Sequence, residues 1–203
     1  MDSILEVRDA SEMEAVDALM IANAEFATRL KQVTSEHWDL PTPCTEWNVR
    51  ALVNHVLLGT RMSVQILSGM PRDEVISYLN DDLIGGTDDP VASFVELATQ
   101  MVEGFSGPGG LDGMVEHPAG DFPRSVFCGF RIADGALHAW DLARAIGVDE
   151  TLDPDIIQLL WDGAQPQRET LVATGLFGDG ASGNVGEDAP LQTRYLDLMG
   201  RRP

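Results

Sequence analysis

Apolar residues recur at steps of three and four along most of this chain. From about Ser11 to Ser35, Met13, Val16, Leu19, Met20, Phe26, Leu30 and Val33 form one stripe, with Glu12, Glu14, Asp17 and Arg29 off it. That is the period of an amphipathic helix. Pro41-Thr42-Pro43-Cys44 breaks the pattern, and Thr45-Glu46-Trp47-Asn48 restarts it. Thr45 is the expected N-cap of this second helix and Glu46 suits its first turn. Its apolar face includes Val49, Leu52, Val53, Val56 and Leu67; it ends near Gly69, with Pro71 as a stop.

Residues 80–89 are acidic and Gly-containing, hence a loop. Asp89-Pro90 then opens a third helix that carries Val91, Phe94, Leu97, Met101 and Phe105, and Gly107-Pro108-Gly109-Gly110 closes it. A short hairpin or irregular strand fits Met114 to Phe122. From about Val126 to Ile146 a fourth helix is apolar nearly all round, so it should be buried, and Gly147 is its natural C′ residue. Asp153-Pro154 caps a fifth helix through Leu171, interrupted at Pro166. A Gly- and Asp-rich loop from Gly178 to Pro190 and a short helix from Leu191 to Met199 follow. No repeat of solenoid period occurs. The expected fold is all-α: one domain over 1–203, a four-helix bundle over about 10–147, and a C-terminal helical extension over about 153–203. Ligand sites in bundles lie between facing helices.

Composition narrows the partners. With 13 Lys+Arg against 33 Asp+Glu among 203 residues, the formal charge is −20. Such a surface repels phosphate backbones and anionic lipid, so neither nucleic acid nor membrane is an expected partner. No stretch reaches the roughly 18–20 apolar residues of a membrane span. Cys44 and Cys128 are too few for a disulfide framework, and the first residues carry no basic and apolar leader pattern, so the cytoplasm is the expected compartment.

Three residues carry candidate chemistry. His55 lies within the second helix, one turn from Leu52 and Gly59, and is expected to point along the apolar stripe. On the fourth helix, Asp134 and His138 stand four apart, which puts both side chains on one face. A carboxylate and an imidazole so spaced can grip one ion, and an imidazole from a facing helix would supply a third ligand while leaving positions for water or substrate. The same residues also read as a core histidine and a buried hydrogen-bonded pair. Two features favour the ion: an unpaired buried carboxylate is costly, and Gly59 and Gly135 are expected to keep space clear around the ligands.

The run Thr42-Pro43-Cys44-Thr45-Glu46-Trp47-Asn48-Val49-Arg50-Ala51-Leu52-Val53-Asn54-His55 resembles a TPCxxWxVRxLxxH segment, and His138-Ala139-Trp140-Asp141-Leu142-Ala143-Arg144-Ala145-Ile146-Gly147 resembles an HxWDLARAxG signature. Both are similar to motifs of the actinobacterial mycothiol-dependent maleylpyruvate isomerase-type metal-binding proteins, in the DinB-like superfamily. The ending from Phe177 to Arg201 resembles that family's closing segment. The resemblance implies a DinB-like four-helix bundle with a divalent metal, zinc being the expected one, held by His55, Asp134 and His138. In the isomerase branch the carboxylate is a Glu, one methylene longer than Asp134. Mycothiol is the implied cosubstrate. The implied function is thiol transfer or isomerisation of a small electrophile, with a non-catalytic metal-binding or sensing module as the alternative. The isomerase also has a separate C-terminal domain that contributes to thiol and substrate binding, whereas the last fifty or so residues here read as helix, acidic loop and short helix, so isomerase activity itself does not follow. No catalytic residue is assigned, and a homodimer stays open.

Other residues take smaller roles. Asp141, three beyond His138, could orient a ligand imidazole or serve as a packing hydrogen bond. Arg131 could hold an anionic substrate or the Asp134 carboxylate; these two are the candidate cofactor-binding residues. Arg50 and Arg144 read as surface ion-pair residues. Cys44, in a neutral turn with no placed base, reads as a buried structural thiol. Trp47 and Trp140 are expected in the core, and His37 and His117 on the surface or in loops.

Overall fold

The computed structural model describes residues 13–173 and 180–203. Four long helices form the bundle: α1 (Ala15–Leu30), α2 (Val49–Leu67), α4 (Pro90–Ser106) and α5 (Arg124–Ile146), with a short α3 (Arg72–Ser77) between α2 and α4. Each long helix packs on two others: α1 on α5 and α4, and α2 on α4 and α5. This ring sets α2 and α5, which carry the two candidate histidines, against one another. The two-stranded antiparallel hairpin of β1 (Met114–His117) and β2 (Gly120–Pro123) precedes α5 directly. The all-α reading with a small hairpin therefore stands.

The core follows the stripes. Leu19 and Phe26 of α1, Leu52 and Leu57 of α2, Phe94, Met101 and Phe105 of α4, and Phe127, Trp140 and Leu142 of α5 are fully buried. Phe26 meets Phe94 with ring centroids 4.9 Å apart, and Phe105 meets Phe127 at 5.8 Å. α1 and α5 approach closely where Gly135 faces Ala22, whose Cβ would lie 3.5 Å from a β-carbon built on Gly135.

Helix ends obey local chemistry. Asp89 accepts from Ala92 N at 3.0 Å with Pro90 behind it, and Asp153 accepts from Asp155 N and Ile156 N. Each such cap is worth about 1 kcal/mol. Gly147 ends α5 at φ 72°, a left-handed conformation that glycine adopts without Cβ strain.

Several boundaries differ from the sequence reading. The cap of α2 is Asn48, which accepts from Ala51 N at 2.9 Å, and not Thr45. Residues 41–48 instead fold back on themselves: Pro41 bridges Asn48, and Thr42 N and Trp47 N donate to Trp47 O and Cys44 O. The two prolines and this closed turn hold Thr45 and Glu46 outside the helix. α1 stops at Leu30, where the chain turns over residues 31–40; the expected start at Ser11 lies outside the described residues. Met20 is 52% exposed, off the face that meets α4 and α5. α5 begins at Arg124, and its first turns bury the face with Phe127 and Cys128 while leaving Val126 (41%) and Phe130 (46%) exposed, so the helix is apolar all round but not buried all round. The short α3, with Pro71 at its N-cap rather than simply stopping α2, has no counterpart in the sequence reading.

Beyond α5, α6 (Pro154–Ala164) runs through a 3-10 turn at Gln165–Gln167 into α7 (Arg168–Ala173), the break falling at Pro166 as expected. α8 (Leu191–Leu198) packs on α6, and α6 on α1. Arg29 of α1, ion-paired with Glu25, donates to Thr151 O at 2.6 Å, and Glu25 accepts from Asp153 N at 3.0 Å. Gln192 of α8 accepts from Leu152 N and donates to Glu150 O. These bonds tie the extension to the bundle and carry α8 and the tail after it back to α5.

Candidate metal centre

Two helices and one turn build the site. The i, i+4 step on α5 puts Asp134 and His138 side by side, and α2 brings His55 across to them. Asp134 Oδ1 lies 3.3 Å from His55 Nε2 and 3.6 Å from His138 Nε2. The imidazoles meet edge to face at 5.0 Å between centroids. His55 does not follow the apolar stripe inward: its side chain is 39% exposed, at the rim of the α2–α5 interface, whereas that of His138 is buried.

Trp47, expected in the core, is half-buried and walls this pair, with its ring 4.5 Å from His55 and 5.8 Å from His138. Trp140 is buried as expected. The turn over 41–48 thus positions an aromatic face as well as closing α2.

Behind His138 stands a second layer. Asp141 is fully buried, and its Oδ2 lies 2.9 Å from His138 Nδ1. An ionised carboxylate only accepts, so the Nδ1–H faces Asp141 and Nε2 faces Asp134 and His55. Asp141 is held in turn by Arg201, whose Nη2 donates to Oδ2 at 2.7 Å and Nε to Oδ1 at 3.2 Å. Cys44 Sγ donates to Asp141 Oδ2 at 3.3 Å and lies 3.6 Å from Arg201 Nη2. Cys44 is therefore half-buried among charged groups and not in a neutral turn.

Arg131, buried one turn before Asp134, points Nη2 at Asp134 Oδ2 from 3.1 Å. That contact is an ion pair without hydrogen-bond geometry, and Asp134 Oδ2 has no hydrogen-bond partner among the described residues. Gly59 makes room for Arg131 and not for the ligands, since a β-carbon there would lie 2.8 Å from Arg131 Nη1. Gly135 likewise serves the α1–α5 contact.

The electrostatics are strongly coupled. Burial pushes the Asp134 carboxyl up, but Arg131, His138 and His55 outweigh it and hold the group well below the usual carboxylate range. Burial pushes His138 down; Asp134's charge and the bonds to Asp141 and Cys44 outweigh that and raise it to about 10. Burial also opposes ionisation of Asp141, yet His138 and Arg201 keep it below the ordinary range.

Among the described residues two donor sets could hold an ion by residue type: His55, Asp134 and His138, and Cys44, His138 and Asp141. The Arg201 guanidinium sits on Asp141 in the second, and a cation there would be repelled at close range. The first is the better seat. A tetrahedral ion with bonds of about 2.0–2.1 Å spaces its donors about 3.3–3.4 Å apart, close to the separations around Asp134 Oδ1.

The remaining candidates lie elsewhere. Arg50 pairs with Asp82 and Arg144 with Glu150, as expected. His37 is half-buried in the turn after α1 and accepts from Thr34 N; His117 lies on β1, half-buried between Phe122 and Phe127. Sequence reasoning missed Arg201, which is 60 residues from Asp141 and carries no local signal. It also misassigned Trp47 and Cys44, although both fall in the same motif as His55.

Comparison with known proteins agrees with this architecture. Two curated relatives, both uncharacterized proteins of Mycobacterium tuberculosis (strains CDC 1551 / Oshkosh and ATCC 25618 / H37Rv), are each 33% identical over 144 residues, covering 71% of this chain and 74% of the relative. No solved structure matches significantly. The family described as mycothiol maleylpyruvate isomerase N-terminal domain matches residues 19–143, which span α2 and nearly all of α5 with His55, Asp134 and His138. The chain belongs to this DinB-like family.

Proposed function

We propose that His55, Asp134 and His138 hold one divalent ion, zinc, and that the protein uses it to present mycothiol to a small electrophile, as a thiol transferase or isomerase. The carrying observation is the convergence of two imidazoles on one carboxylate oxygen whose partner oxygen lacks a hydrogen bond among the described residues. Two neutral nitrogens and one carboxylate oxygen suit zinc, and three protein ligands leave a position for an exogenous thiol. Zinc, when bound, deprotonates a coordinated thiol and so supplies a nucleophile near neutral pH.

The chain's own residues do the rest. Asp141 accepts the hydrogen bond of His138 Nδ1–H, which keeps the proton on Nδ1 and leaves Nε2 for the ion. Arg131, buried against Gly59, balances the charge of Asp134. Trp47 covers one side of the two imidazoles, keeping bulk water from that face. The exposed edge of His55 marks the side from which a small molecule enters.

The experiment has two readings. Protein purified without a histidine tag is analysed for metal, then screened for consumption of small electrophiles with and without mycothiol. Zinc near stoichiometric and mycothiol-dependent turnover are expected. Full zinc with no turnover across the screen would favour the non-catalytic binding module, and the absence of any metal affinity would end the metal reading itself.

A further inference from the structure

We propose that Arg201, in the tail after α8, is a positioning residue for His138 and acts through Asp141. The proposal rests on the metal reading above but concerns a residue outside the segment matched to the family, 19–143.

Asp141 is fully buried, so its charge must be met inside the protein. His138 offers one N–H to Oδ2 and Cys44 a weak thiol donor to the same oxygen. Among the described residues Oδ1 is bonded by Arg201 alone, through Nε at 3.2 Å, while Nη2 also reaches Oδ2 at 2.7 Å. This two-point grip fixes the plane of the carboxylate, which a single bond from His138 would leave free to turn. A planar guanidinium fork does this where an ammonium cannot. Arg201 is held in its turn, since its Nη1 donates to Met199 O at 3.0 Å. With Asp141 fixed, the Nδ1–H bond sets the rotation of the His138 ring and aims Nε2 at Asp134 and His55. Cys44 Sγ, within reach of both Asp141 and Arg201, fills the remaining side of the carboxylate.

The neighbouring Arg202 is a built-in control. It lies on the same tail and pairs with Asp197 at 3.6 Å, away from the centre. Loosening the tail there should not disturb His138.

The test compares the full-length wild type with Arg201→Met, Arg201→Lys and Arg202→Met. Zinc affinity is measured by competition with a chromophoric chelator, and the His138 Nδ1–H resonance by NMR in metal-free protein. Arg201→Met should weaken zinc binding by about 10–100-fold, the usual effect of losing an outer partner of a ligand, and should shift or broaden the Nδ1–H signal. Arg201→Lys, which keeps the charge and the fold but loses the fork, should show the same changes to a smaller degree. Arg202→Met should leave both readouts at wild-type values. Unchanged or tighter zinc binding in Arg201→Met, with an unmoved Nδ1–H signal, would overturn the proposal. So would equal losses in Arg201→Met and Arg202→Met, which would mark a merely structural tail. A wild type without zinc affinity would instead defeat the metal reading, and the Nδ1–H signal would still decide whether Arg201 positions the ring.

Discussion

Between the carboxylates of Asp134 and Asp141, the His138 imidazole keeps a proton that an ordinary histidine loses near pH 6.5. Its folded value, about 10, is raised, so in metal-free protein the stability it contributes is full below about 6.5 and is lost as pH rises through about 10. Thermal melts of the chelator-treated protein should therefore fall across that window, and fall less in His138→Ala. Zinc must displace the proton on Nε2, so zinc uptake in a weak buffer should release protons. Asp134→Asn keeps the shape but removes the charge that favours a cation. Its zinc affinity should drop at least about 10–100-fold, since even an outer partner of a ligand costs that much; a chelator competition checks it. Cys128 behaves oppositely to a reactive thiol: burial raises it to about 11. Alkylation followed by mass spectrometry at pH 8 should leave Cys128 unmodified in the native protein.

At the scale of elements, the α1–α5 contact is tight but not closed. A β-carbon on Gly135 would sit 3.5 Å from Ala22 Cβ, an ordinary packing distance. Gly135→Ala should thus gain about 0.5–1 kcal/mol from reduced unfolded-state freedom and better helix propensity, read as a higher denaturation midpoint. The four long helices were legible from their apolar stripes, and the start of α4 and the end of α5 also from their caps Asp89 and Gly147. The start of α2 was misread because Thr45 has the right chemistry for a cap, whereas the turn between Pro41 and Asn48 is a medium-range structure that outranks it. Asp134 and His138 were legible as a pair since their spacing alone puts them on one face. His55 was legible as a candidate third ligand from its residue type and its place in the second helix, and the motif resemblance added that it pairs with His138, since periodicity does not say which helices touch. Arg201 closes the C-terminal segment that resembles the family, but its role was not legible: its contact with Asp141 depends on α8 folding back against α6, which no local pattern encodes.

Over the whole molecule, a formal charge of −20 favours solubility and opposes compactness. Salt screens that repulsion, so the melting temperature should rise as sodium chloride increases from low to physiological strength; a flat or falling trend would assign the stability to specific surface pairs instead. Among the described residues no helix is long and apolar enough to cross a membrane. The core is large enough to fold without a metal staple, so loss of the ion should leave the bundle standing, and the metal question can be asked of a folded protein. Equilibrium zinc titration of the tag-free chain against His138→Ala asks it most directly. The account predicts one tight site per chain in the wild type and its loss in His138→Ala, with far-UV circular dichroism unchanged. Equal zinc binding by the two proteins, or none by the wild type, would contradict it.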